Sequence, residues 1–271
     1  MLEADCAAVL PLLPDGFFDL IYIDPPFNTG KTQRHRRVRA VRNEDGARGG
    51  FGGNRYRVSE RSSMDYADSY EDYLGFLAPK LTRARELLAP QGTLYVHLDY
   101  REAHYVKVAL DEIFGRECFL NEIIWAYDYG AKPTRRWPAK HDTILVYVRD
   151  PALHLFDAEA VDREPYMAPG LVSAEKAARG KRPTDTWWHT IVPTAGSERT
   201  GYPTQKPEGV LRRIVAASSR PGGWCLDFFA GSGTLGAVCA QLDRRYVLVD
   251  SNPQAIEVMR RRLRVEPQRL P

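Results

Sequence analysis

A chain of 271 residues with 44% hydrophobic and 27% charged side chains holds enough apolar material for one large or two small packed domains. Its apolar runs fall short of a bilayer span, and the first residues lack the charged start and apolar core of a signal peptide, so a cytoplasmic protein without a membrane partner is expected. The net charge of +3 excludes little, yet 30 of the 38 basic residues are Arg, the side chain suited to phosphates and guanine edges, although a GC-rich coding bias would leave the same mark.

In chain order, Ala7, Ala8, Val9, Leu12 and Leu13 suggest a short helix within residues 1–14. The run Phe18 to Ile23 follows, and it halts on Asp24-Pro25-Pro26-Phe27. An apolar run ending on a carboxylate and two prolines reads as a buried parallel strand opening into a crevice, where α/β proteins place their chemistry; prolines after a strand are also ordinary punctuation. Residues 28–63 then change character. They carry Arg34, Arg36, Arg37, Arg39, Arg42, Arg48, Arg55, Arg57 and Arg61 with Gly46, Gly49, Gly50, Gly52 and Gly53, and almost no aliphatic periodicity. A flexible basic loop that tracks nucleic-acid phosphates is the expectation, against a solvated insertion of no consequence.

Regular patterning resumes with a helix over Tyr70–Leu88, a strand over Thr93–Leu98, a helix over Glu102–Phe114, and strands over Glu122–Tyr127 and Thr143–Val148. The connection between the last two holds Lys132, Arg135, Arg136, Trp137 and Lys140, basic residues interleaved with an aromatic, which suits DNA contacts or a solvated hairpin loop about equally. Residues 150–200 look irregular, a candidate target-recognition insertion in which Trp187 and Trp188 are expected to pack. The four cysteines show no Cys-x-x-Cys pair, so the sequence supports neither a metal site nor a disulfide framework.

The second strong signal is Trp224-Cys225-Leu226-Asp227-Phe228-Phe229-Ala230-Gly231-Ser232-Gly233-Thr234-Leu235-Gly236, followed by a helix and the strand Tyr246–Asp250. Glycines allow a tight strand-to-helix turn and close approach of a ligand, and an acid ending the next strand can accept from a ribose diol. Gly231-x-Gly233-x-x-Gly236 with Asp250 also satisfies the dinucleotide fingerprint, so an NAD- or FAD-dependent oxidoreductase competes. Only 21 residues follow Asp250, room for one helix, so the remaining strands of such a sheet are expected earlier in the chain, including the one ending at Asp24. Asp227 also fits the ammonium group of a methionine-type cofactor, for which a dinucleotide has no use.

Together, Asp24-Pro25-Pro26-Phe27 and Asp227 to Thr234, in that order, resemble the S-adenosylmethionine-dependent DNA amino-methyltransferases of the β class, and Gly201-Tyr202-Pro203-Thr204-Gln205-Lys206-Pro207 resembles the segment of that family that closes over the cofactor. The resemblance implies one methyltransferase catalytic domain over 1–271: a doubly wound, seven-stranded mixed sheet, Rossmann-like but circularly permuted, with helices on both faces. It implies catalytic Asp24, Pro25, Pro26 and Phe27. It implies S-adenosyl-L-methionine held by Asp5, Thr204, Lys206, Asp227, Phe228, Phe229, Gly231, Gly233, Thr234 and Asp250. Double-stranded DNA is the implied substrate, its cytosine N4 or adenine N6 methylated after flipping, with Arg34, Arg36, Arg37, Arg39, Lys132, Arg135, Arg136 and Trp137 as candidate contacts. A cognate restriction endonuclease and a homodimer are conceivable partners, and a DNA-binding module without activity is a further alternative.

Overall fold

The computed structural model describes residues 1–42, 48–49, 55–130, 133–193 and 196–266. These divide into two compact units, Asn28–Glu71 and the remainder of the chain.

The larger unit begins with β1 (Leu2–Glu3), α1 (Cys6–Val9) and β2 (Phe18–Ile23), and resumes with α2 (Tyr73–Leu87). In the smaller unit β3 (Lys31–Arg42), β4 (Arg48–Gly49) and β5 (Arg55–Asp68) form an antiparallel sheet in the order β3-β5-β4. The sequence reading of 28–63 as a loop is therefore corrected. Pairing runs from Lys31 opposite Asp68 to Arg42 opposite Tyr56, with one irregularity between Arg37 and Val38. The physical reason is that an antiparallel ribbon satisfies backbone N–H and C=O groups whatever the side chains, and the Val and Ala interspersed among the arginines suit a strand.

After α2 come β6 (Leu88–Leu98), α3 (Ala103–Phe114), β7 (Phe119–Ala126) and β8 (His141–Val148). The chain then passes α4 (Ala174–Arg179), β9 (Thr186–Trp188), α5 (Glu208–Ser218), β10 (Trp224–Asp227), α6 (Thr234–Gln241), β11 (Arg245–Asp250) and α7 (Pro253–Leu263). The sheet has the order β1-β11-β10-β2-β6-β8-β7-β9. It has eight strands rather than seven, with the short β1 and β9 at its two edges. β9 also corrects the reading of 150–200 as wholly irregular: Thr186–Trp188 pairs in parallel with Ile124–Ala126. Alternation along this edge strand buries Trp187 and leaves Trp188 75% exposed, so only one of the two tryptophans packs.

Each helix covers one face of the sheet for the reason periodicity dictates. All of β2 is buried, as expected of a central strand covered on both sides. Leu20 and Tyr22 join a cluster with Leu211 and Ile214 of α5, Val238 of α6 and Met259 of α7. Ile21 and Ile23 point the other way by the two-residue alternation and are equally buried, while α2 packs on β6 and on α3. Each such fully buried aliphatic side chain contributes about 1.5–3 kcal/mol through area removed from water. The chain winds outward from β2 in one direction through β6, β8 and β7, then returns to build β10 and β11 on its other side. That reversal puts the switch point of the doubly wound sheet between β2 and β10, where a crevice opens beyond the strand ends.

Candidate active site

Parallel pairing aligns the carboxyl ends of β1, β11, β10, β2 and β6, so acids far apart in sequence line one edge. Asp24 and Asp227 directly follow or end adjacent strands, with Ile21 opposite Leu226 in register. Asp250 ends β11 and Asp5 follows β1. Asp5 is exposed and serves as the N-cap of α1, its Oδ1 accepting from Ala7 N at 2.8 Å.

The glycine turn lies between β10 and α6. Gly231 and Gly233 have φ of +50° and +70°, conformations that side chains with a Cβ resist, and Gly233 N donates to Ala230 O at 2.7 Å to tighten the turn. A Cβ on Gly231 would lie 3.2 Å from the Tyr202 ring, so the segment before α5 lies over this turn. Gly233 and Gly236 answer to packing instead: added Cβ atoms would meet Met259 Cγ at 2.7 Å and Leu248 Cδ1 at 2.6 Å. Asp250 fixes the loop by accepting from Gly231 N and Asn252 N, each at 2.8 Å. Asp227 Oδ1 accepts from Phe229 N at 2.9 Å. Burial raises both carboxyls above their ordinary range, Asp227 well above it.

Two of the residues expected at the cofactor have buried side chains. Phe228 is 1% exposed and packs its ring against Phe229, so it supports the turn from the core and Phe229 remains the half-buried ring at the crevice. Thr234 is buried, donates to Lys206 O at 3.1 Å and accepts from Arg262 at 3.0 Å, which ties the start of α6 to the Lys206 segment. Thr204 is exposed in the turn that precedes Lys206.

Lys206 is the link between the two halves. Its Nζ lies 2.7 Å from Asp24 Oδ2 and 4.7 Å from the centroid of the Phe27 ring. Tyr73 holds the Pro-Pro turn by donating to Pro26 O at 2.7 Å. Beside Asp24, sequence reasoning missed a polar cluster of Tyr22, His97, Asp142 and Tyr127, all in or next to the strands at this edge. The signal was present in Tyr95-Val96-His97-Leu98: a lone imidazole inside an apolar strand run, near its carboxyl end. Tyr22 is raised well above its ordinary range by burial and then by the charges of Asp24, Asp227 and Asp142, so its hydroxyl keeps its proton.

The candidate DNA contacts are divided between the two units. Arg34, Arg36, Arg37 and Arg39 belong to β3, where only backbone pairing is described, and Lys132 lies outside the described residues. Arg135 is exposed, Arg136 donates to the Tyr100 hydroxyl at 3.3 Å, and Trp137 is 93% exposed. No helix among the described residues is long and apolar enough to cross a membrane. All four cysteines are buried free thiols.

A doubly wound sheet with a glycine turn at its switch point, an acid closing the next strand and a second acid on the adjacent strand defines a nucleoside-cofactor enzyme of the methyltransferase kind. A family model described as DNA methylase, of the N6/N4 type, matches residues 18–261, and the chain belongs to that family. It is 30% identical over 251 residues to the type II methyltransferase M.HpaI of Haemophilus parainfluenzae, covering 93% of this chain and 69% of that protein. It is 27% identical over 273 residues to the DNA adenine methyltransferase YhdJ of Escherichia coli K12, covering 98% and 82%. The solved structure of the M1.HpyAVI–SAM complex superposes with a TM-score of 0.62 at 20% identity, over 98% of this chain and 100% of that one. The chain is thus a DNA amino-methyltransferase, acting on adenine N6 or cytosine N4 with S-adenosyl-L-methionine, and the oxidoreductase alternative falls away.

The residues present fit that cofactor. Asp227 is a buried carboxyl held above its ordinary range, an environment that a ligand ammonium would relieve, and Gly231, at φ +50°, puts no side chain on the turn. Asp250 closes the same pocket from β11 with acceptor capacity for ribose hydroxyls.

Proposed function

We propose that the enzyme methylates N6 of adenine in double-stranded DNA, with Asp24 as the acceptor for the amino group. The observation that carries this is the placement of Asp24 and Asp227 at the carboxyl ends of the adjacent parallel strands β2 and β10, which supports one acid for the base and the other for the cofactor. Adenine is preferred over cytosine because an Asp leads the Pro-Pro-Phe turn, and because the relative covered most fully among those compared is named a DNA adenine methyltransferase.

When bound, S-adenosyl-L-methionine supplies an electrophilic methyl group on a sulfonium. Asp227 would hold its ammonium, Asp250 its ribose, and Gly231 its close approach to the backbone, with Tyr202 and Thr204 above the turn. The chain's own work is on the nucleophile. An aromatic amino group is weak because its lone pair is delocalised into the ring. Asp24 Oδ2 and the Pro25 carbonyl accept its two hydrogens, which localises the lone pair and turns it towards the methyl group. As the nitrogen–carbon bond forms, the methyl group's bond to the sulfonium sulfur would break to leave a neutral thioether; the nitrogen becomes cationic, and it returns to neutrality by releasing one proton towards Asp24. Phe27 offers a face for the base. Lys206 at present holds Asp24 Oδ2 at 2.7 Å, so the target amino group takes its place there.

The target atom is out of reach inside a duplex, so the adenine is flipped out, with the arginines of β3 and the exposed Arg135–Trp137 segment gripping the opened DNA. A cytoplasmic enzyme of a restriction-modification pair, with a partner endonuclease and a homodimeric form, extends the same reading.

Methylation of duplex DNA with a labelled methyl donor, followed by nucleoside analysis, is the test. 6-Methyladenine in the wild type, lost by more than about 10²-fold in Asp24→Ala, is expected. 4-Methylcytosine as the product would overturn the base assignment, and undiminished activity in Asp24→Ala would overturn the role of Asp24.

A further inference from the structure

Behind Asp24 lies a polar cluster to which methyl transfer, as described above, gives no task. His97 sits near the end of β6 and is 0% exposed. Its Nε2 is 3.1 Å from Asp142 Oδ2, and its Nδ1 is 2.8 Å from the Tyr22 hydroxyl and 4.0 Å from Asp24 Oδ1. Asp142 Oδ1 accepts the Tyr127 hydroxyl at 2.9 Å. The Trp125 ring meets the imidazole edge-on at 5.4 Å and Phe27 closes another side at 5.8 Å, so the ring is held in one orientation. Lys206, on Asp24 Oδ2, completes the charged groups around it. A core histidine needs only a carbonyl for each nitrogen, whereas this one stands between two carboxylates.

Asp24 Oδ1 is buried and has no hydrogen-bond partner among the described residues. An acceptor whose other oxygen is unsatisfied can rotate, and a rotating carboxylate is a poor template for a developing charge. The nearby imidazole is equipped to correct this. Burial pushes the Asp142 carboxyl up, but the hydrogen bond and charge of His97, the charge of Lys206 and the Tyr127 hydroxyl bring it below the ordinary range, so Asp142 is an ionised anchor for the imidazole.

We infer that His97, anchored by Asp142, is a positioning residue for methyl transfer: its Nδ1 edge, held at 2.8 Å by the Tyr22 hydroxyl and 4.0 Å from Asp24 Oδ1, backs that oxygen and leaves Oδ2 aimed at the target amino group. This rests on the reading of Asp24 as the acceptor.

The experiment is single-turnover methyl transfer by the full chain to duplex DNA, with cofactor and DNA dissociation constants and the thermal midpoint measured for each variant. His97→Gln keeps a nitrogen for Asp142 but no polar atom at the Nδ1 position that faces Tyr22 and Asp24, whereas His97→Asn keeps one there. The Gln variant is expected to lose about 10–100-fold in rate, less than the about 10²–10³ of a donor that touches the reacting atoms. Both dissociation constants stay within about threefold, and the Asn variant recovers about tenfold of the loss. Asp142→Asn costs a similar factor, and the His97→Gln/Asp142→Asn pair costs no more than one of them, as expected for two parts of one device.

Equal losses in the Gln and Asn variants, a loss that tracks cofactor affinity or the thermal midpoint, or multiplying losses in the pair would overturn the inference. Where the His97 variants fail to fold, the isosteric Asp142→Asn carries the test alone, and an unchanged rate there overturns it. Asp24→Ala separates the two readings. Full activity in that variant removes the acceptor role itself, and with it the inference. An inactive Asp24→Ala beside a fully active His97→Gln removes the positioning role only.

Discussion

Replacing Lys206 by Met removes the cation from Asp24 while keeping most of the side chain's volume. At 2.7 Å the pair has about 6 kcal/mol of gross attraction at an effective dielectric of about 20. Desolvation of both charges and the fixing of a long side chain offset most of that, so the net worth of the pair is small. The single substitution is different, because it leaves a carboxylate buried without its counter-ion, a change that costs about 3–5 kcal/mol in a fully dry site. Here the two side chains keep 12% and 17% exposure, which lowers the expected cost to about 2–3 kcal/mol. For a chain of this size that is a fall of about 4–12 °C in Tm. Asp24→Asn in the same background removes the orphaned charge and should restore about 2 kcal/mol. Denaturant unfolding of the two single variants and the double variant gives the coupling directly. If the single effects add to within about 0.5 kcal/mol, Lys206 and Asp24 are not energetically paired and the link between the two halves of the site is wrong.

Two further outcomes can be checked. Gly233→Ala should destabilise by about 2–4 kcal/mol in equilibrium unfolding, since it adds left-handed strain at φ +70° to a contact of 2.7 Å with Met259 Cγ; a loss under about 0.5 kcal/mol would mean the turn relaxes freely. Cofactor binding should release protons. Asp227 and Asp250 are raised by burial, so in the free protein they hold protons above the ordinary carboxylate range, and a ligand ammonium favours their ionised forms. The sign for stability is the matching one: the contribution of a raised acid is full below its unfolded value and is lost as pH rises through the folded one, so bound cofactor should stabilise more at the higher pH. Calorimetric titrations in buffers of different ionisation enthalpy count the protons; no release, or release unchanged in Asp227→Asn, refutes the assignment.

Most regular elements were legible along the chain because their physics is local. The alternating or continuous apolar runs at Phe18–Ile23, Thr93–Leu98, Thr143–Val148 and Tyr246–Asp250 each correspond to a strand, and the helical spacing from Tyr73 to Leu87 to a helix. Elements that depend on a distant partner were not. The strands β3 and β5 read as loop because their sequence is cationic and glycine-flanked, and only mutual pairing explains them. β9 exists because Thr186–Trp188 meets the free edge of β7, some sixty residues earlier in the chain.

The same division runs through the site. By residue type and order the sequence by itself determined the Asp24-Pro-Pro-Phe turn, the glycine turn after Asp227 and the acid at Asp250, since these chemistries require particular side chains and a particular backbone freedom. What faces what was decided only by the tertiary structure. Lys206 rests on Asp24, the Phe228 ring is buried behind the glycine turn, and Thr234 ties the start of α6 to the Lys206 segment, contacts that no reading of the chain in order supplies. His97 and Asp142 acquire meaning only because antiparallel β6 and β8 bring residues 45 positions apart within 3.1 Å. Sheet register is a cooperative property of the whole core, and no window of sequence around either residue contains it.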